Sequence, residues 1–284
     1  MDAQRLGVLV GVDGSQCGQR ALDWAAVDAA ARGTGLTVVH VLEAWRTPEV
    51  PLAPNLRTVA DRGGQKTVDA AVVRARHATP DTPVKGQLVR GNPAAELLRL
   101  AAGAAQVVIG SRGIGGFAAM LLGSVGAQVA AHAPCPTVVV RGHPRDGGQV
   151  TVGVDGSERG EAALEYGFGY AARHGLGVQA LHLYPNYVLM PPYPTMPDDL
   201  ERVRADATRF VQEALGRWAA KYPDVPADWT VTQGGAAHHL IDASEGSSLL
   251  VVGCRGHGGF AGLLLGSVSQ AAVRNAHCPV AVAR

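Results

Sequence analysis

Two glycine-rich segments of the sequence have the composition of an anion-binding turn. The first reads GSRGIGGFAAMLLGS at residues 110–124, and the second reads GCRGHGGFAGLLLGS at residues 253–267. Both follow an aliphatic run and share the spacing G-x-x-G-x(9)-G-S. Because Gly110 and Gly113 have no Cβ, their backbone N–H groups can close on an anion, and a positive φ would cost little. The final Gly-Ser precedes a helical pattern whose N-terminal amides suit phosphate, so the spacing predicts two phosphate-binding loops.

An aspartate accompanies each loop. GVDGS occurs at residues 11–15 and again at 153–157. In a flavodoxin-like sheet we expect the first and fourth strands to be neighbours, so that GVDGS and the glycine loop face one crevice. The alternative for Asp13 and Asp155 is a strand-ending Asp-Gly turn without a ligand. The repetition of the position in both halves favours the ligand role.

Other nucleotide-binding and catalytic motifs are missing from the sequence. It has no GxxxxGK[ST], and its lysines, Lys66, Lys85 and Lys221, are remote from both loops, which argues against a P-loop NTPase. No GxGxxG opens a helix after the first strand, so a dinucleotide-binding fold is disfavoured. The loops contain no Glu, Lys or Asp to orient water or neutralise charge, which disfavours rapid hydrolysis.

The histidines give weaker signals. His40 and His182 occupy matching places late in the second strand of each half, and a hydrogen-bonded structural role is favoured over a metal site. The adjacent His238 and His239 would diverge on a helix, which disfavours metal binding. His257 lies in the second loop, either towards phosphate or towards solvent. The Tyr-, Met- and Pro-rich segment 184–199 is interpreted as a surface loop, with a lid or partner surface as the alternative.

Composition indicates a folded, water-soluble chain. Its 284 residues are 47% hydrophobic and 17% charged, with a formal net charge of +1. That balance gives no reason to expect nucleic acid as a partner. The four cysteines form no CxxC pair and are expected to be free thiols. The N-terminus shows no leader and the chain no apolar stretch of about 20 residues, so we expect a cytoplasmic protein that does not enter membranes.

The chain repeats itself. Segments 21–42 and 163–184 align, as do segments 121–141 and 264–284. The repeat predicts two domains, 1–143 and 148–284. Within each domain aliphatic strands alternate with helices, which predicts an α/β fold of two tandem doubly wound parallel five-stranded sheets with helices on both faces. In the first domain the pattern predicts strands over residues 36–42 and 84–90 and a helix over about residues 58–78. The fifth strands are predicted to be sheet edges through which the halves pair.

These motifs resemble the universal stress protein family in its tandem, ATP-binding form. The resemblance covers nearly the whole chain and rests on GVDGS, on the glycine loop and on a closing CP-x-x-x-x-R strand in both halves. It implies a flavodoxin- or adenine nucleotide alpha hydrolase-like fold and a homodimer. It also implies a nucleotide-dependent stress-response regulator that binds ATP with Mg²⁺ and hydrolyses it slowly at most. Alternatives are an adenine-nucleotide hydrolase or transferase, and an interaction protein with empty pockets.

The resemblance also implies one ATP site in each half. Asp13 and Asp155 would contact the adenine or ribose side, and Val41 and Leu183 would pack against adenine. Gly11 and Gly153 replace a proline that some members carry at this place. The residues implied for the rest of the pocket and for phosphate and ribose are Ile109, Gly110, Arg112, Gly113, Gly123, Ser124 and Val125 in the first half, and Val252, Gly253, Arg255, Gly256, Gly266, Ser267 and Val268 in the second.

Overall fold

The computed structural model describes residues 6–43, 54–113, 122–142, 144–145, 147–184, 197–256 and 264–284. The chain divides into two compact units, Met1–Arg141 and Gly142–Arg284. Each unit has its own parallel sheet and its own buried core. The two units are described separately below.

The first unit is built on five parallel strands in the order β3-β2-β1-β4-β5. Helices cover both faces of the sheet, which is why β1 is a continuous aliphatic run with Val8, Leu9 and Val10 fully buried. The strands are β1 (Val8–Gly11), β2 (Leu36–Leu42), β3 (Val84–Arg90), β4 (Gln106–Gly110) and β5 (Thr137–Val140), and the helices are α1 (Gln16–Ala31), α2 (Pro54–Ala78), α3 (Pro93–Ala101) and α4 (Ser124–His132).

The second unit repeats this arrangement, with parallel strands in the order β8-β7-β6-β9-β10. A register shift between Gln149 and Val150 is the one irregularity in its described strand pairings. The strands are β6 (Gln149–Val154), β7 (Val178–Tyr184), β8 (Ala227–Gln233), β9 (Ser247–Gly253) and β10 (Val280–Ala283), and the helices are α5 (Glu158–His174), α6 (Pro197–Lys221), α7 (Ala236–Ala243) and α8 (Ser267–Asn275).

The predicted fold class is confirmed: each unit is a doubly wound parallel sheet of five strands. The predicted contact between the first and fourth strands is confirmed as well, since β1 pairs with β4. The order itself differs from that of flavodoxin, which is 2-1-3-4-5 and places the third strand beside the first. In the order 3-2-1-4-5 the strand order reverses between the parallel strands β1 and β4, and this switch point creates the crevice.

Side-chain caps fix where the first helix of each unit begins. Ser15 caps α1 by accepting a hydrogen bond from the Gly18 amide at 3.1 Å, and Ser157 caps α5 by accepting one from the Gly160 amide at 3.0 Å. The helix after β2 begins at Pro54, earlier than the predicted start near residue 58.

Among the described residues, no helix has the length and apolar character needed to span a bilayer.

Candidate functional site

Each unit contains a cavity at the carboxyl ends of its central strands. The first has a volume of about 390 Å³ and the second about 740 Å³. Every site residue predicted from the sequence lines one of them. The first cavity contains Gly11, Asp13, Val41, Ile109, Gly110, Arg112, Gly113, Gly123, Ser124 and Val125, and the second contains Gly153, Asp155, Leu183, Val252, Gly253, Arg255, Gly256, Gly266, Ser267 and Val268.

The aspartate after the first strand organises the turn into the first helix. Oδ1 of Asp13 accepts hydrogen bonds from the Ser15 amide at 3.0 Å and from the Ser15 hydroxyl at 2.6 Å. Asp155 makes the same pair of bonds to Ser157, at 3.0 and 2.7 Å. The following residue has a left-handed backbone, with φ +88° at Gly14, so the Asp-Gly turn is real. The turn uses Oδ1 of each aspartate, and both aspartates also line the cavities.

The glycine loop packs directly on this aspartate. A Cβ built on Gly113 would lie 2.6 Å from Oδ2 of Asp13, and a Cβ on Gly256 would come even closer to Oδ2 of Asp155. Real Cβ atoms essentially never approach a neighbour so closely. A side chain at either position would displace the carboxylate, so glycine is the residue that leaves the aspartate turn undisturbed.

The first glycine of each loop is also required by a close approach. A Cβ on Gly110 would lie 2.7 Å from the carbonyl oxygen of Cys17, and one on Gly253 would lie 2.7 Å from that of Arg159. None of Gly110, Gly113, Gly253 and Gly256 is among the described glycines with positive φ. At these four positions, packing against the turn and the first helix favours glycine, rather than backbone handedness.

The loop ends at an open helix N-terminus. Gly123 precedes α4 without a side-chain cap, and Gly266 does the same for α8. The first amides of a helix have no partner within it, so they are available to an anion in the cavity. The Gly123 amide donates to Ser111 O at 2.9 Å and thereby draws the two ends of the loop together. The loop centres at residues 114–121 and 257–263, which include His257, lie outside the described residues.

Cys17 is a feature of the first site that sequence reasoning missed. Its thiol is buried in the first turn of α1, and Nη2 of Arg20 lies 3.2 Å from Sγ. Burial alone raises the pKa of this thiol, but hydrogen bonding and charge from Arg20, together with Ser111 and the charge of Arg112, outweigh burial and lower the pKa. Arg159 stands at the equivalent place in the second unit. No signal in the sequence marks it, because Ser111 and Arg112 approach the thiol only in the folded unit.

The paired histidines have structural partners. Nδ1 of His40 is 2.8 Å from Val12 O, and Nδ1 of His182 is 2.7 Å from Val154 O. Each ring therefore joins the end of the second strand of its unit to the end of the first. On α7, the His239 ring bonds to Gly235 O at 3.1 Å. Within the described ranges no group of three or more His, Cys, Asp or Glu side chains could hold a metal ion.

Both cavities also contain residues that the sequence motifs did not predict. Leu97 from α3 packs so near Gly11 that a Cβ there would lie 3.0 Å from its Cδ1, and Leu240 stands at 3.1 Å in the same relation to Gly153. A glycine at this place therefore leaves room for a leucine of the facing helix. The first cavity adds Glu43 from the end of β2. The second cavity adds four residues of α6, which are Val203, Asp206, Ala207 and Phe210.

Comparison with known proteins gives a consistent result. The model of the universal stress protein family matches residues 7–141 and again residues 148–284. Two universal stress proteins of Mycobacterium tuberculosis are 37% and 36% identical to the chain, over 98% of it and over 97% and 96% of their own lengths. A universal stress protein from Archaeoglobus fulgidus has a similar fold in its crystal structure, with a TM-score of 0.72 and 19% identity over 99% of this chain and 97% of that one.

Proposed function

Because the chain belongs to the universal stress protein family, in its tandem form, we propose that each unit binds one ATP molecule in its cavity. The observation that carries this proposal is the repeated contact between a glycine loop and the aspartate at the end of the first strand. In each unit this contact lies beside an open helix N-terminus, and the loop and the helix together form a cradle for a phosphate chain.

The strand order indicates how a nucleotide would lie in the cavity. The loop and the start of α4 are on the β4 side of β1, and we assign the phosphates to the amides of that side, with Ser124 as a hydroxyl donor. Val41 is at the end of β2, on the other side of β1, where we place adenine. Asp13 lies between them, within reach of the ribose or the base. Magnesium would be carried by the phosphates, since the described residues hold no metal cluster of their own.

Adenine nucleotides are found with members of this family. A universal stress protein from Archaeoglobus fulgidus is known in complex with dAMP, and another universal stress protein in complex with cAMP. Those ligands belong to those proteins. For this chain the support for ATP is the pair of cradles and the size of the cavities, which lie within the usual range of small-molecule sites.

We propose that the bound nucleotide regulates the protein in a stress response and is turned over slowly at most. The described cavity linings contain no lysine, so Arg112, Arg255 and the magnesium ion would be left to neutralise charge in phosphoryl transfer, and Oδ1 of the aspartate beside each loop is engaged by the helix turn. Glu43 and Asp206 are near the base end, away from the phosphate loop, and are badly placed to activate water. A single-turnover assay with labelled ATP and Mg²⁺ checks this: rapid product formation would establish the alternative, an adenine-nucleotide hydrolase or transferase.

Closing each cradle with a side chain tests the binding proposal. A Cβ on Gly123 meets no atom nearer than 3.8 Å, so Gly123→Glu is expected to fold while its carboxylate repels phosphate. We expect calorimetry to give two ATP per chain for the wild type and one for Gly123→Glu or Gly266→Glu. The double variant should bind none. Gly216→Glu is the control, because Gly216 is exposed on α6 with nothing within 4 Å of an added Cβ. Two ATP bound by the double variant would overturn the proposal.

We further propose a homodimer that works in the cytoplasm, with residues 1–143 and 148–284 as its two domains. The chain has a mass of 29.3 kDa, so light scattering distinguishes a monomer from a dimer directly. A scattering mass equal to one chain at micromolar concentration would refute the dimer.

A further inference from the structure

The two cavities differ most at the end where the base would lie. The difference bears on how tightly each unit binds ATP, and the inference rests on the proposed ATP binding. In the second unit β7 and β9 flank β6 on opposite sides. A nucleotide whose phosphates lie on the β9 loop therefore directs its base towards β7 and the helix that follows β7.

In the second unit that end has an aromatic wall. Phe210 of α6 and His182 of β7 both line the cavity, with ring centres 5.2 Å apart. The His182 ring is fixed by its bond to Val154 O, and Phe210 is half-buried, so one part of its ring packs while another remains accessible. Tyr184 lines the same end. These rings form a surface of the kind on which a nucleobase stacks.

In the first unit the helix closes this space. Helices α2 and α6 both have 25 residues and begin at a proline, which aligns Gly64 with Ala207 and Thr67 with Phe210. Gly64 is so near the sheet that a Cβ would lie 2.8 Å from Leu88 Cδ1 and 3.1 Å from Leu42 Cδ1. The two leucines therefore fill the region between α2 and the sheet. Thr67 instead lines a separate cavity between α1 and α2.

The consequence is a smaller first cavity with a different wall. It measures about 390 Å³ against about 740 Å³, and its described lining contains no aromatic side chain. The base end is formed by Val39, Val41 and Glu43 of the β2 edge, with Pro93 and Leu97 of α3. The described phosphate ends of the two cavities share the packed glycine, the aspartate turn and the uncapped helix, and differ at the residue beside the first loop glycine, which is Cys17 in one and Arg159 in the other.

We propose that the second unit holds the high-affinity ATP site, because Phe210 packs on the base there, and that the first unit binds ATP more weakly through the same phosphate contacts. Stacking of one base on an aromatic side chain corresponds to a factor of about 10 to 100 in affinity. The difference in affinity between the two sites must then depend on the base and disappear for a ligand that has no base.

Calorimetry on single-site variants tests this inference. Gly123→Glu leaves the second site open, and Gly266→Glu leaves the first. Each variant is titrated with MgATP and with magnesium tripolyphosphate, which has the phosphates but no base. We expect the second site to bind ATP about tenfold more tightly or better than the first, and both sites to bind tripolyphosphate equally.

Substitutions at the aligned helix position identify the residue responsible. In the Gly123→Glu background, Phe210→Thr, which installs the first unit's residue, should lower ATP affinity about tenfold and leave tripolyphosphate affinity unchanged. Phe210→Trp retains an aromatic face and should keep ATP affinity. Thr67→Phe in the Gly266→Glu background is the matched control and should not raise ATP affinity, because residue 67 is outside the first cavity.

Three outcomes are distinguishable. Equal ATP affinities at the two sites, or an unchanged affinity in a folded Phe210→Thr variant, would overturn the inference and leave the nucleotide proposal standing. A loss of tripolyphosphate binding in Phe210→Thr would also overturn it, because the residue would then act on the phosphate loop. Failure of both single-site variants to bind ATP or tripolyphosphate would overturn the proposed function itself.

Discussion

At the scale of single residues, the contact between aspartate and glycine is the most informative feature. One oxygen of Asp13 holds the turn into α1, and the other lies where a side chain at position 113 would have to go. The same relation joins Asp155 and Gly256. The loop and the turn are thus one packed unit, and a change in either should affect the other.

A single methyl group should disturb this packing. We expect Gly113→Ala to weaken ATP binding at the first site by about 1–3 kcal/mol, because the methyl displaces the Asp13 carboxylate from its bonds to Ser15. Gly123→Ala adds the same methyl where the nearest atom is 3.8 Å away and should have little effect. Calorimetry of both variants in the Gly266→Glu background measures the comparison. Equal losses in the two variants would show that the Asp13 contact is unimportant.

The thiol of Cys17 leads to a prediction about pH. Because its pKa is lowered, a larger fraction is thiolate at a given pH below the ordinary thiol range near about 8.5, so iodoacetamide should modify it at lower pH than an ordinary thiol. Arg20→Met removes the main lowering group and should shift the rate profile to higher pH. Mass spectrometry of the peptide that carries Cys17 gives the rate at each pH. Identical profiles with and without Arg20 would contradict this explanation.

The sequence predicted those site residues that occur in both halves within a fixed spacing. Asp13, Gly110 and Gly123 could be found in this way, because the duplication separates a repeated requirement from chance. Cys17 and Phe210 could not, since each occurs in one half only and owes its role to neighbours brought close by folding. The sequence also could not show why glycine occurs at position 113, because steric overlap with Asp13, 100 residues away, depends on the packed structure.

At the scale of elements, the aromatic packing of α6 distinguishes the second unit. Trp218 stacks on Phe168 and Tyr222, with ring centres 6.2 and 6.3 Å apart, and its Nε1 donates to Glu161 Oε2 at 3.0 Å. On α2 the aligned residue is Ala75. The matching helices therefore pack on α1 and α5 by different means, although they cover equivalent strands.

Removing that indole should destabilise the second unit. We expect Trp218→Ala to lower the free energy of unfolding by about 2–3 kcal/mol, less than for a fully buried indole because the side chain is half-exposed. Trp218→Phe keeps the stacking and loses the hydrogen bond to Glu161, with an expected loss of about 1 kcal/mol. Urea titrations followed by circular dichroism measure both losses. A loss as large for Trp218→Phe as for Trp218→Ala would mean that the hydrogen bond, not the stacking, is what stabilises.

Strands were easier to predict than sheet order. Periodicity predicted residues 36–42 and 84–90 as strands, which are the bounds of β2 and β3. The buried strand β1 leaves a continuous aliphatic run, and β2 and β3 are bounded by turn residues, whereas the start of α2 has no comparable capping signal and was predicted too late. The order 3-2-1-4-5 depends on where each crossover returns to the sheet, and no local pattern records that choice.

At the scale of the whole molecule, the aspartate turns and loop glycines are more alike in the two units than the cores are. In the first unit a buried Asp28 accepts hydrogen bonds from Arg32 at 2.6 Å and from Gln106 at 2.5 Å. The aligned residues of the second unit, Tyr170 and His174, form a ring stack with centres 4.1 Å apart. The cores have thus been repacked with different chemistry, while the aspartate turns and loop glycines stayed the same.

Ligand binding to both units should stabilise the chain by mass action. With ATP at 100 times the dissociation constant, each occupied site adds about 2.7 kcal/mol to the free energy of unfolding of its unit. Thermal denaturation with increasing MgATP should therefore show rising midpoints for the wild type. The double variant Gly123→Glu/Gly266→Glu should show none, and a rise in that variant would reveal binding elsewhere on the protein.

The shared space between position 13 and position 113 also restricts how such a chain can change over generations. A mutation that enlarges residue 113 displaces the carboxylate at position 13, so it should be better tolerated where residue 13 is already shorter. Homologous sequences with a side chain at 113 should carry a residue smaller than aspartate at 13. The same relation should hold independently between positions 256 and 155, so each duplicated sequence tests it twice.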